Sequence, residues 1–146
     1  MTELIIQREK MDCGICVFAM ATGRAYEDVK SALGDAWSPE GGLRRLHDCL
    51  ERLALGQWRA TAGRGRVFDS PDIQVRYRAF EVAPKFFRDF AWGRRAIMCV
   101  PSLNLPGGLH MVWVDNEQVF DPSQGKTYDW DALCPEEIIL FRERQP

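Results

Sequence analysis

The first third of the chain carries the hydrophobic pattern of helices. Residues 13–21, CGICVFAMA, are almost all apolar, and they lie between Asp12, a residue type that begins helices, and Gly23, a type that ends them. Residues 26–33 mix apolar and charged positions and are followed by Gly34. The pattern therefore predicts a buried helix that begins near Cys13 and a short amphipathic helix after it.

A third helix is predicted by leucines that recur at helical spacing. Ser38-Pro39-Glu40 offers a cap, a first-turn proline and an early acid, the usual sequence of a helix start. The leucines follow at positions 43, 46, 50 and 53, and the pattern ends at Gly56. We therefore expect a helix over most of residues 38–56.

The second half changes to the short apolar runs of strands. We predict strands at residues 57–61, 73–80, 96–102, 109–114, 118–121 and 136–143, a Gly/Arg-rich loop at 63–66 and one or two helical turns at 84–92. Helices followed by an antiparallel sheet predict an α+β fold. The length of 146 residues fits a single domain, with a helical lobe at 1–56 and a mainly β lobe at 57–146.

Charge and composition narrow the class of protein. The net charge of -2 argues against nucleic acid as the main partner, although residues 59–95 are basic and could meet an acidic protein if they are not simply a solvated surface. No apolar run approaches a membrane span, and residues 4–6 are too short for the apolar part of a secretory signal. The five cysteines are irregularly spaced. These features predict a cytoplasmic protein with free thiols.

Cys13 and Cys16 allow three kinds of chemistry. A CGIC at the start of a helix suits a thioredoxin-like redox pair, but that fold needs a strand soon afterwards, and residues 24–56 offer no strand candidate. A zinc site would need His47 and Cys49 as further ligands. In mid-helix those two side chains would point about 200° apart, away from a common metal ion. We expect no metal and no other cofactor.

The third possibility makes Cys13 a nucleophile, which requires a base. Of the two histidines, His47 flanks the leucine stripe, whereas His110 opens the apolar strand HMVWV. If residues 115–116 form a two-residue hairpin turn, His110 lies opposite Asp121. A four-residue loop would shift the pairing by two and still leave both side chains on one face. The carboxylate could then fix the imidazole tautomer and support the imidazolium.

These residues resemble those of the double-glycine, or bacteriocin-processing, cysteine peptidases, a papain-like family. That family has a Gln six residues before the Cys of an Asp-Cys-Gly. Later it has a His leading an apolar strand, and then an Asp-Pro with a glycine soon after. The matching residues are Gln7, Asp12, Cys13 and Gly14, then His110, Asp121, Pro122 and Gly125. Residues 26–34 and 41–56 also fall where the family has its two helices, so the resemblance spans nearly the whole chain.

The resemblance implies a papain-like fold and a peptide or protein substrate, with cleavage after a Gly-Gly-type site and a thioester intermediate. It implies Cys13 as nucleophile, His110 as general base and acid, Asp121 as orienter, and Gln7 as side-chain donor of the oxyanion hole. Cys16, one turn after the nucleophile, is expected to be a small buried residue that packs in the core. Two alternatives stay open: an inactive papain-fold binding protein, including a host-directed protein of phage type, and the thiol redox protein.

Overall fold

The chain has an α+β fold. The computed structural model describes the backbone of residues 2–53, 57–60, 65–69, 73–78, 95–101, 109–116, 118–123, 126–129 and 137–141. Within these residues the α-helices lie before residue 54 and an eight-stranded antiparallel sheet lies after residue 56. The predicted class is therefore confirmed, while the single-domain organisation stays a prediction. The predicted helical turns at 84–92 lie outside the described residues, as does much of the basic segment 59–95.

The first two helices form where the pattern predicted them. Helix α1, Cys13–Thr22, is buried from Gly14 to Ala21 and ends at Gly23, whose φ of 70° gives the left-handed cap that glycine adopts without strain. Helix α2, Tyr26–Leu33, follows and leads into a 3₁₀ turn at Gly34–Ala36. The distribution of apolar residues and the glycines at the helix ends were sufficient to predict both helices.

The third helix is shorter than predicted. Residues Trp37–Ser38 (β1) and Gly42–Leu43 (β2) form a small antiparallel ribbon, and helix α3 spans only Leu46–Arg52. The hydroxyl of Ser38 accepts a hydrogen bond from Gly41 N at 3.0 Å, which closes a turn in place of a helix start. Gly42 has a φ of 68°, a conformation outside the helical region. The Gly41-Gly42 pair thus outweighs the Ser-Pro-Glu signal.

All six predicted strands are present, and two other strands of the eight-stranded sheet were missed. The strands are β3 (Gln57–Ala60), β4 (Gly65–Asp69), β5 (Ile73–Arg78), β6 (Ala96–Pro101), β7 (Leu109–Asp115), β8 (Gln118–Asp121), β9 (Lys126–Asp129) and β10 (Glu137–Phe141). Their spatial order is β3-β4-β5-β10-β6-β7-β8-β9. Strand β10, the last of the described strands, therefore lies in the middle of the sheet. Strand β4 occupies much of what was predicted as a Gly/Arg-rich loop, and β9 was not predicted.

Helix α1 packs against the β6–β7 part of the sheet. Its apolar residues share one core with Ile97 and Cys99 of β6 and with Met111 and Trp113 of β7. The glycine at position 14 permits the close approach. This packing sets the start of α1 beside the start of β7. In the described part of the chain, no helix has the length and apolar character needed to cross a membrane.

Candidate active site

The nucleophile candidate stands at the first position of α1. Cys13 is partly exposed, whereas Cys16, Cys49 and Cys99 are buried. Asp12 occupies the N-cap position, but its carboxylate makes no capping hydrogen bond to the helix. The first-turn N–H groups of α1 therefore donate no hydrogen bond to the Asp12 side chain. Donors of this kind are what an oxyanion at the Cys13 end of the helix would need.

His110 and Asp121 form a close hydrogen-bonded pair. The distance from His110 Nε2 to Asp121 Oδ1 is 2.7 Å, and the His110 and Asp121 side chains are only 16% and 6% exposed. The hairpin turn lies one residue later than predicted, because Asp115 pairs with Gln118. The register is thus shifted by two, and His110 and Asp121 stay on one face as diagonal neighbours. The predicted proximity of the two side chains is therefore observed.

Ser123 completes the surroundings of this pair. Its backbone N–H donates to Asp121 Oδ1 at 2.9 Å and its hydroxyl donates to the same oxygen at 2.8 Å. The hydroxyl also lies 3.3 Å from His110 Nε2. The sequence interpretation did not single out Ser123. An Asp followed two residues later by a Ser in a Pro-containing turn was the available signal.

The ring of His110 also interacts with Cys13. Burial lowers the pKa of His110, but hydrogen bonds with Asp121 and Cys13, and the negative charges of both, outweigh it and raise the pKa from 6.5 to about 9. Because Nε2 is taken by Asp121, the other ring nitrogen, Nδ1, is the one left for the thiol. Cys13 and Asp121 thus interact with the same imidazole.

Gly14 and Met111 give independent evidence for this arrangement. A Cβ placed on Gly14 would lie 2.6 Å from Leu43 Cγ and 3.3 Å from Met111 Sδ. Gly14 directly follows Cys13, and Met111 directly follows His110. The residues next to the two site residues are therefore in contact. A side chain at position 14 would overlap Leu43 of β2 and would lie tightly against Met111 of β7, so a glycine suits this packing.

Gln7 lies next to the site, with its amide already hydrogen bonded. Its backbone N–H donates to the carbonyl of Pro122 at 3.1 Å, which attaches it beside Asp121. Its side-chain Nε2 donates to the carbonyls of Glu9 at 3.1 Å and Lys10 at 3.2 Å. Its Oε1 is buried and has no hydrogen-bond partner among the described residues. To donate to an oxyanion, Gln7 must release one of these two carbonyls.

Asp12 holds the loop between Gln7 and Cys13. It is fully buried, and its Oδ2 accepts hydrogen bonds from Tyr26 Oη at 2.6 Å and from Arg8 N at 3.0 Å. The Arg8 guanidinium lies 4.0 Å from the centre of the Tyr26 ring. Burial, followed by the hydrogen bond to Asp12, raises the pKa of Tyr26. A carboxylate and a phenol thus join α2 to the loop that leads into the site.

The remaining cysteines are in different surroundings. Burial, followed by the charges of Asp12 and Cys13, raises the pKa of the Cys16 thiol to about 12, and burial raises that of Cys49 to about 11. Cys13, Cys16, Cys49 and Cys99 are all free thiols. Over the residues whose placement is described, no three His, Cys, Asp or Glu side chains are grouped to hold a metal ion. His47 belongs to α3, and its side chain is outside the described set.

No protein-family model, curated protein or solved structure matches this chain. The resemblance to the double-glycine peptidases therefore rests on the motifs of this sequence and stays a prediction.

Proposed function

We propose that this chain is a papain-like cysteine peptidase that cleaves a peptide or protein substrate. The resemblance to the double-glycine peptidases suggests that it cleaves after a Gly-Gly-type site. The observation that carries the proposal is the 2.7 Å hydrogen bond between His110 Nε2 and Asp121 Oδ1, on an imidazole that also interacts with Cys13. A papain-like fold and a cytoplasmic location belong to the same proposal.

The arrangement supports nucleophilic catalysis in two stages. In this mechanism the proton of the Cys13 thiol is already held on His110, and the imidazolium is supported by Asp121 through Nε2. The thiolate attacks the scissile carbonyl, and His110 gives the proton to the leaving amine, which departs as the thioester forms. His110 then takes a proton from water, the hydroxide attacks the thioester, and the Cys13 thiolate leaves beside the imidazolium. The free acid is released.

The site supports this chemistry better than a dithiol redox cycle. A redox cycle needs Cys16 to act as the second thiol, but Cys16 is fully buried and its pKa is raised to about 12. Among residues 2–53, α1 is followed by α2 and then by a two-residue strand of the small ribbon, rather than by the sheet strand that a thioredoxin-like unit needs next. His110 and Asp121 would have no role in such a cycle.

The second candidate is an inactive binding protein on the same fold. The observation that favours it is the Gln7 side chain, whose Nε2 donates to two backbone carbonyls. A site that never forms an oxyanion has no need to release them. Such a protein would hold a peptide in the cleft without cleaving it.

A covalent peptide probe separates these functions. The probe is a short peptide ending in Gly-Gly with a thiol-reactive group at its carboxyl end, and the adduct is located by peptide mapping. We expect modification at Cys13, its loss in Cys13→Ala and a strong reduction in His110→Ala. Cys16→Ala is the matched control and should be labelled like the wild type. Hydrolysis of the corresponding unmodified peptide should follow the same order.

Two results would overturn the peptidase proposal. The first is wild-type protein that gives no adduct and no cleavage but binds the peptide, which identifies the binding protein. The second is an adduct that persists in Cys13→Ala. A native disulfide between Cys13 and Cys16 would instead support the redox protein.

A further inference from the structure

Ser123 makes contacts that the triad alone does not explain. One oxygen, Asp121 Oδ1, accepts three hydrogen bonds: from His110 Nε2 at 2.7 Å, from Ser123 N at 2.9 Å and from the Ser123 hydroxyl at 2.8 Å. The hydroxyl oxygen is also 3.3 Å from His110 Nε2. Ser123 is exposed, whereas Asp121 is buried. The hydroxyl of an exposed residue thus contacts both partners of the hydrogen bond between His110 and Asp121.

The two Ser123 contacts have different requirements. The backbone contact closes an Asx turn and would be kept by any residue other than proline. The hydroxyl contact requires Ser or Thr. The Ser123 hydroxyl contacts Asp121 Oδ1, the atom that orients His110. Because Ser123 is exposed, we expect its hydroxyl to affect the orientation of the imidazole more than the stability of the fold.

The turn that carries Ser123 is fixed at several points. Asp121 is the last residue of β8, Pro122 is buried with a restricted φ, and its carbonyl accepts the backbone N–H of Gln7. The Ser123 hydroxyl is therefore presented to Asp121 by a constrained backbone. Such a donor needs little reorganisation to hold its acceptor in place.

We propose that Ser123 is a positioning residue of this site, whose hydroxyl holds the Asp121 carboxylate so that His110 keeps one ring nitrogen toward Cys13. The effect of Ser123 on catalysis rests on the proposed function, whereas its contact with Asp121 does not. With the hydroxyl in place, Oδ1 cannot rotate away from Nε2 without losing two further hydrogen bonds. It also keeps bulk water from one side of the bond between His110 and Asp121. The charged and titratable groups that interact with the ring are Asp121 at the end of β8 and Cys13 on α1.

The experiment compares Ser123→Ala, which removes the hydroxyl, with Ser123→Thr, which retains it. The first readout is the His110 Nε2–H proton in nuclear magnetic resonance spectra. In the wild type and in Ser123→Thr this proton should exchange slowly with water, and in Ser123→Ala it should exchange several-fold faster. The second readout is alkylation of Cys13 by iodoacetamide at neutral pH. It should fall about three- to ten-fold in Ser123→Ala, the range of one net hydrogen bond, and recover in Ser123→Thr.

Thr22→Val is the matched control. The Thr22 hydroxyl donates to the Phe18 carbonyl in the last turn of α1, at the opposite end of the helix from Cys13. Its loss should leave both readouts unchanged. Melting temperatures of all variants show whether the turn itself has been disturbed, and we expect Ser123→Ala to melt within about 1–2 °C of the wild type.

The outcomes for Ser123 and for the peptidase proposal are separate. Unchanged Nε2–H exchange in Ser123→Ala overturns the positioning role, even if Cys13 is catalytic. Faster exchange that Ser123→Thr reverses supports it, and this measurement does not require turnover. If exchange is faster in Ser123→Ala but no peptide probe labels Cys13, the positioning role of Ser123 is supported and the peptidase proposal is rejected.

Discussion

At the scale of single residues, the protonation of His110 links the site to stability. The pKa of His110 is about 9 in the folded chain, compared with the ordinary histidine value of 6.5 that applies to the unfolded chain. A raised pKa means that the folded chain binds the proton more tightly, so the stabilisation is complete below about pH 6.5 and is lost as the pH rises through about 9. The charge on His110 therefore stabilises the fold under acidic and neutral conditions.

This predicts a pH-dependent difference between the wild type and His110→Gln. The free energy of unfolding, measured with urea, should favour the wild type by up to about 3 kcal/mol near pH 6, and the difference should shrink toward zero near pH 10. Asp121→Asn is the companion variant and should lower the His110 pKa because it removes a negative charge. A wild-type advantage that is constant over this range would contradict the prediction.

At the scale of elements, the contact between α1 and β7 decides whether the site assembles. Alanine in place of a helical glycine ordinarily stabilises a helix by up to about 1 kcal/mol. At Gly14 the added Cβ meets Leu43 and Met111, so Gly14→Ala should instead destabilise the fold by about 1–3 kcal/mol. It should also slow alkylation of Cys13, because the first turn of α1 moves away from β7. Thermal unfolding and thiol labelling measure the two effects.

Two further variants make this prediction specific. Leu43→Ala removes the nearest obstructing side chain, so adding it to Gly14→Ala should restore part of the labelling rate. Gly23→Ala is the control at the other end of α1, where φ is 70° and the Cβ has open space. It should cost about 1 kcal/mol in stability and leave labelling unchanged. Equal loss of labelling in both glycine variants would refute a local effect at Gly14.

The elements also show where local sequence signals are sufficient. Helices α1 and α2 were predictable because the apolar run of α1 and the mixed apolar and charged pattern of α2 each end at a glycine. The ribbon at residues 37–43 was not predictable. The helical leucine spacing begins at Leu43, inside the ribbon, and so it hid the turn that Gly41 and Gly42 impose. Strand β4 was missed since glycine and arginine are poor strand signals. Its backbone pairing with β3 and β5 is a tertiary effect that no single segment encodes.

At the scale of the whole molecule, the sheet depends on its last strand. Strand β10 pairs with β5 on one side and with β6 on the other. A proline in a central strand removes a ladder hydrogen bond and does not fit the sheet. Ile139→Pro should therefore destabilise the fold by about 3 kcal/mol or more. The same change at Gln57, the first residue of the outer strand β3, should cost under about 1 kcal/mol. Urea unfolding tests the contrast, and equal losses would contradict it.

The whole molecule also explains how much of the site the sequence could predict. Cys13, His110 and Asp121 were identifiable because helix start, strand start and hairpin spacing are local features. The supporting contacts were not, since they join distant segments. Tyr26 bonds Asp12 across two elements, and Gln7 reaches Pro122 from the other end of the chain. A tyrosine at the start of an amphipathic helix gives no sign that its hydroxyl meets a buried carboxylate.

The central position of β10 affects how the chain folds during synthesis. Strands β5 and β6 are both synthesised before β10. Until β10 pairs with them, each of these strands has one edge without its hydrogen-bonded neighbour. Exposed edges of this kind pair readily with strands of other molecules. The two halves of the sheet therefore become one only after residues 137–141 have left the ribosome. Slow synthesis of the final segment should lengthen the period in which nascent chains can aggregate.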